Sequence, residues 1–143
     1  MKANDKVEAE VLVAVNKYIE AYQKRDIKAL MSLFAPDEDQ VHFGTGADEK
    51  RVGRDEIKFQ AERDWSQTEA LTFNLTWHKV SAAGPVAWVA AEGLGQGSAG
   101  GQAFAFPMRM TAVAEKRGDE WLLVHSHASL PSPAQEEGDS VPV

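Results

Sequence analysis

Along the first two dozen residues, apolar side chains recur at Val7, Val11, Leu12, Val15, Tyr18, Ile19 and Tyr22, the three-and-four spacing of one helical face. That spacing predicts a helix from about Asp5 to Lys24. Asp26 is placed to cap a second, short helix, because its carboxylate can accept the free amide hydrogens of a first turn; Ala29, Leu30, Leu33 and Phe34 continue an apolar stripe until Pro36 closes it. Val41-His42-Phe43 reads as a short strand, and the glycines of Gly44-Thr45-Gly46-Ala47-Asp48-Glu49 mark a tight turn after it. A third helix is predicted from Gly53 to about Gln67. Asp55 and Glu56 lie in its first turn, where the helix dipole favours acids, and Ile57, Ala61 and Trp65 are spaced four apart.

The second half carries strand patterns. Leu71, Phe73, Leu75 and Trp77 alternate with Thr72, Asn74, Thr76 and His78, the period of a half-buried strand, and Gly84-Pro85 ends it. Val86 to Glu92 forms a second strand, and Gly93 to Gly101 is dense enough in Gly and Ser to predict a flexible hairpin loop. From Ala103 to Glu115 the even positions Phe104, Phe106, Met108, Met110, Ala112 and Ala114 are all apolar and are assigned to the core. After the Lys116-Arg117-Gly118-Asp119 turn comes a last strand from Trp121 to Ser129. Strict alternation puts Trp121, Leu123, His125, His127 and Ser129 on one side of it. Beyond Pro131, residues 132–143 are acidic and proline-bearing with almost no large apolar side chain, which predicts a flexible tail after a single domain over 5–131. Three helices before an antiparallel sheet make an α+β layout, in which the helices must cover the sheet's apolar face.

Composition narrows the function classes. A chain of 143 residues is one domain by size, and a 43% hydrophobic fraction with four Trp, six Phe and two Tyr builds a real core. Fifteen basic against 22 acidic side chains give a net charge of −7 with no Lys/Arg block, so nucleic acid is an unsuitable partner. Cysteine is absent, which excludes disulfides, thiolate metal sites and a Cys nucleophile. The polar opening MKANDKVEAE does not suit a signal peptide and Val11-Leu12-Val13-Ala14-Val15 is too short to span a membrane, so a soluble cytoplasmic protein with no membrane partner is expected.

The order of elements, the glycine turn ending in Glu49 and followed by Gly53, the Arg109-Met110-Thr111 strand and the run Trp121-Leu122-Leu123-Val124-His125-Ser126-His127-Ala128-Ser129 together resemble the SnoaL-like branch of the nuclear transport factor 2-like superfamily. The C-terminal run is also similar to the association domain of calcium/calmodulin-dependent kinases. The resemblance covers about Val7 to Pro131. It implies three helices packed on a strongly curved antiparallel sheet, a cone of the cystatin-like type, and commonly a homodimer through the outer sheet face. It leaves chemistry open, since superfamily members include isomerases, dehydratases, cyclases and assembly domains.

The resemblance to the isomerases and cyclases implies a Tyr from the first helix and acids from the sheet inside the cone. Tyr18 and Tyr22 occupy that helix, and Glu92 is the strand carboxylate that could look inward. His125 and His127, two apart, could act together on a proton; a metal would need a third ligand that the spacing does not supply, so no metal is assigned. A Ser129–His127 nucleophile lacks an orienting acid. Arg109, a permanent charge in mid-strand, falls opposite the even apolar row and near the histidine pair, either at a dimer interface or in the pocket, and a bulge would exchange the faces. The cone is expected to be lined by Tyr18, Tyr22, Phe34, Trp65, Trp88, Phe104, Phe106, Met108 and Met110, a surface suited to a flat apolar molecule, with Ala112 and Ala128 leaving space. Glu49 and Arg51 read as a rim pair or a brace to Arg54, and Asp64 as part of a solvated helix face. The sequence therefore supports a small-molecule-binding protein first. The alternatives are an isomerase, cyclase or dehydratase using proton transfer by His125, His127 or Glu92 with a tyrosine donor and no cofactor, or a non-catalytic oligomerisation domain.

Overall fold

The computed structural model describes residues 1–142. Its elements are α1 (Asp5–Gln23), α2 (Ile27–Met31), β1 (Val41–Phe43), β2 (Lys50–Val52), α3 (Arg54–Gln67), β3 (Ala70–Ala83), β4 (Val86–Ala99), β5 (Gln102–Arg117) and β6 (Glu120–Ser129). The caps follow the sequence: Asn4 Oδ1 accepts the Val7 amide at 2.9 Å, and Asp26 Oδ1 accepts that of Ala29 at 3.0 Å. α2 ends at Met31, short of the expected stop at Pro36, because Phe34 leaves the helix to bridge in parallel to Leu123.

Six strands form one curved sheet in the order β2-β1-β6-β5-β4-β3, antiparallel except for the parallel β1–β6 pair. β2 answers the turn after Phe43 and pairs back on β1, a strand not predicted from the sequence. The predicted flexible loop at residues 93–101 is overturned, since β4 runs through it to Ala99 and pairs on both sides. Its glycines serve close packing. A Cβ at Gly95 would overlap the Phe106 ring, and one at Gly97 would stand 2.8 Å from the Phe104 ring, so the two stacked phenyl rings lie flat on bare backbone. The true turn is Gly100-Gly101, both at positive φ.

Two bulges set which residues face inward. On β3 the register passes from Leu75↔Gly93 to Trp77↔Glu92, leaving Thr76 unpaired; on β6 it passes from Ala114↔Leu123 to Val113↔His125, leaving Val124 unpaired. One core cluster joins α1 to the sheet through Val11, Val80, Ala87, Val89 and Trp121. The second gathers Tyr22, Leu30, Phe34, Ile57 and Ala61 between the three helices. Arg25, at φ 57° after α1, ties the helices together by donating to the carbonyl oxygens of Trp65 (2.5 Å) and Thr68 (2.8 Å) at the end of α3. Residues beyond Leu130 are exposed and form no helix or strand among those described. Among the described residues no helix is long and apolar enough to cross a membrane.

Candidate functional site

Between α1, α3 and the concave sheet face lies a cavity of about 240 Å³. Its apolar wall comes from Tyr18, Ile19 and Tyr22 of α1, Phe34 after α2, Ile57 and Ala61 of α3, and Leu71, Phe73, Phe106, Met108 and Met110 of the strands. An edge-to-face contact joins Phe34 to Tyr18 at 6.1 Å between centroids, and Tyr18 stacks on Tyr22 at 6.1 Å.

Two polar clusters interrupt this wall. The first is built on α3, where Asp64 follows Ala61 by three and Ile57 by seven and so shares their inward face. The Tyr22 hydroxyl donates to Asp64 Oδ2 at 2.5 Å and Gln60 Nε2 donates to Oδ1 at 2.7 Å. Burial holds the Asp64 carboxyl above its ordinary value, against the opposing pull of these two hydrogen bonds. The Tyr22 hydroxyl is pushed far above the usual tyrosine range by burial and then by the neighbouring carboxylate, so it stays protonated as a donor. Tyr18 is raised to about 12 by burial and then by Asp64, and its hydroxyl has no hydrogen-bond partner among the described residues. Gln60 passes the network outward, also donating to Glu49 Oε1 (3.1 Å), which accepts from Arg63 Nη2 at 2.8 Å. Glu49 Oε2 accepts the Gly46 amide at 2.9 Å, which fastens the glycine turn against α3. A Cβ at Gly44 would overlap Glu49 Oε2, so a side chain there would push that carboxylate off the Gly46 amide.

The second cluster joins β1 to β6. Buried His42 pairs through Nδ1 with Ser126 Oγ at 2.7 Å and through Nε2 with Gln40 Oε1 at 2.9 Å. Both ring nitrogens are occupied within the protein. Burial, followed by the nearby His125 ring, lowers His42 to about 4, so the imidazole is neutral at physiological pH.

Of the residues expected to line the cone, Tyr18, Tyr22, Phe34, Phe106, Met108 and Met110 do so. Trp65 does not: it packs behind Tyr22 at 5.7 Å, with its indole N–H buried and unpartnered. Phe104 lies beyond the cavity over Gly97. Trp88 is on the outer face, because the small side chains Ala87, Val89 and Ala91 are the ones buried beneath α1. Glu92, after buried Ala91, is an exposed residue in register with Arg109 that still contributes to the cavity lining. Arg109 is exposed on the outer face, and the bulge at Val124 sends His125 and His127 there too, removing the expected catalytic pair from the cone. His125 Nδ1 contacts the Val41 carbonyl oxygen at 2.6 Å, and His127 lies 5.1 Å from the Phe43 ring. In their place the cavity receives Ser126 and Ala128. Sequence reasoning missed Asp64, Gln60, His42 and Ser126 as site residues. The signal for Asp64 was its place on the Ile57–Ala61 face; the other three had none as specific.

Helices closing a curved sheet over an apolar cavity define a nuclear transport factor 2-like protein. The chain belongs to the SnoaL-like domain family, whose profile matches residues 11–133. A protein of this superfamily from Streptomyces avermitilis, provisionally assigned as a dehydratase, is 26% identical, with a TM-score of 0.82 over 90% of this chain and 98% of that one. A superfamily protein from Salmonella enterica serovar Typhimurium is 19% identical, with a TM-score of 0.84 over 97% and 100% of the two chains. A ketosteroid isomerase-like protein from Erwinia carotovora atroseptica is 19% identical, with a TM-score of 0.75 over 92% and 100%. No curated protein matches the sequence.

Proposed function

We propose that this chain binds a small, mostly apolar organic molecule in the cone and that Asp64 takes a proton from it. The observation that carries this reading is a half-buried carboxylate, held by Tyr22 and Gln60, at the wall of an otherwise apolar cavity. A carboxylate partly removed from water is a stronger base toward a bound carbon acid than a solvated one, and the raised Asp64 agrees with that role. Tyr18, with an uncommitted hydroxyl beside Asp64, supplies a donor for the negative charge that develops on a substrate oxygen. Such chemistry moves only protons and needs no cofactor. It is compatible with the dehydratase assignment of the Streptomyces relative.

The test uses 5-nitrobenzisoxazole, a flat apolar probe that reports on any well-placed base. Removal of its C3 proton breaks the N–O bond, forms the nitrile and releases a coloured phenolate. Turnover above buffer is expected for the wild type and is expected to fall at least tenfold in D64N, on the scale of a lost general base. Equal rates for the two proteins would remove Asp64 from the reading.

A separate observation favours self-association. The outer sheet face carries Trp77 at 50% exposure and Phe43 at 37%, beside Arg109, Thr111 and His127. We propose that two copies pair through this face, so that light scattering gives twice the 15.6 kDa chain mass and W77D returns it to one chain. A wild-type mass of a single chain would count against the pairing.

A further inference from the structure

We infer that Ser126, held by His42 and Gln40, is a hydrogen-bond-accepting subsite, so that the molecule bound in the cone presents a neutral hydroxyl or N–H to it and not an anion. This rests on the cone being a ligand site. It follows from tracing each hydrogen. Gln40 Nε2 donates to the carbonyl oxygens of Ala35 (2.5 Å) and Asp37 (2.9 Å), which spends both amide hydrogens and leaves Oε1 facing His42. An inverted amide would set an oxygen against two carbonyls. The ring nitrogen meeting Oε1 at 2.9 Å, Nε2, must therefore carry the imidazole hydrogen. Nδ1 is left with its lone pair, and the Ser126 hydroxyl hydrogen points to it across 2.7 Å. What Ser126 can offer the cavity is a pair of acceptor sites.

The polarity is locked from behind. Turning the Ser126 hydrogen toward an anion would leave a buried imidazole nitrogen unpaired, in a residue 7% exposed. Protonating His42 to compensate would bury a charge beside His125 and force a second N–H on the ring, now facing the serine oxygen. The opposite wall adds one free neutral donor, the Tyr18 hydroxyl, and its other polar hydrogens are spent. The Tyr22 hydrogen lies on Asp64, and the Gln60 amide hydrogens lie on Asp64 and Glu49. Among the described residues the only cationic side chain lining the cavity is Arg51, whose Nε donates to Gln60 Oε1 at 2.8 Å and whose guanidinium lies over the exposed Phe59 ring. A ligand bearing hydroxyl or amide donors on an apolar body matches this surface, and a carboxylate or phosphate does not.

Three probes with one body separate the alternatives: 2-naphthol, its methyl ether 2-methoxynaphthalene, and 2-naphthoate, each titrated calorimetrically into wild type and S126A near neutral pH. Wild type is expected to bind 2-naphthol about fivefold tighter than the ether, the worth of one hydrogen bond, and the carboxylate most weakly. S126A is expected to bring 2-naphthol and its ether to within about twofold. If loss of the His42 partner prevents S126A from folding, S126C, whose thiol is a weak acceptor, should show the same narrowing. Naphthoate binding as tightly as naphthol overturns the inference and leaves the ligand-binding reading standing, and so does a naphthol–ether gap unchanged by the Ser126 variants. Failure of all three probes to bind overturns both.

Discussion

Replacing Tyr22 with Phe removes a single oxygen from a residue 5% exposed and leaves its ring contacts with Tyr18, Trp65 and Phe73 in place. The energetic change is then dominated by Asp64, which loses the donor at 2.5 Å and keeps only Gln60. A hydrogen bond to a charged group contributes about 1.5–3 kcal/mol, and half-burial of Asp64 places the loss near the lower end, about 1.5–2 kcal/mol. For a chain of this size that lowers Tm by roughly 5 °C or more. The pH dependence gives the sharper test. Asp64 in the folded protein sits above its unfolded value, so its ionisation costs stability, and that cost is relieved as pH falls through the folded value. Tyr22 opposes the upward shift, and its removal raises the carboxyl further. The gap between Y22F and wild type should therefore be full at neutral pH and narrow on acidification, beginning above the ordinary carboxylate range, as Asp64 takes up a proton. Urea unfolding at a series of pH values measures it. A gap of the same size at every pH would show that Tyr22 does not hold an ionised Asp64.

His42 titrates in the opposite sense. Its folded value of about 4 lies below the ordinary 6.5, so its contribution, roughly 3 kcal/mol, is complete above 6.5 and is lost as pH falls toward 4. H42Q should lack that portion of the acid slope, measured as unfolding free energy against pH, and an unchanged slope would reject the buried neutral imidazole. At Gly95, an alanine methyl would displace the Phe106 ring, an overpacking cost of about 1–3 kcal/mol that should be smaller in G95A/F106L than in G95A. Additive losses in that double-mutant cycle would mean that the ring does not rest on the glycine.

Periodicity carried much of this fold. The Val7–Tyr22 stripe placed α1 to within a residue, and the even positions of β5 turn inward as their apolarity requires, so Phe106, Met108 and Met110 reach the cavity wall. Where the pattern failed, the cause lay in another part of the chain. Val86 to Ala91 is apolar on both faces, so alternation could not say which set is buried; the close approach of α1 selects Ala87, Val89 and Ala91 and turns Trp88 out. The glycine run at 93–97 looks mobile by composition, yet its use depends on two phenyl rings from the next strand. Asp64 was on the correct helical face, but its partner Tyr22 stands 42 residues earlier, a distance no local reading spans.

The polar half of the site depends on one irregularity. With Val124 in register, alternation from Trp121 would aim the imidazoles of His125 and His127 into the cone. With Val124 unpaired, the inward positions pass to Ser126 and Ala128, and the histidines face outward beside Val41 and Phe43. The bulge substitutes a hydroxyl for two titratable rings. It also brings that hydroxyl opposite His42 in the β1–β6 register, where the imidazole receives its hydrogen. A single unpaired residue thus places a neutral, acceptor-faced hydroxyl opposite the wall that carries Asp64, the arrangement on which the proposed proton transfer to Asp64 rests.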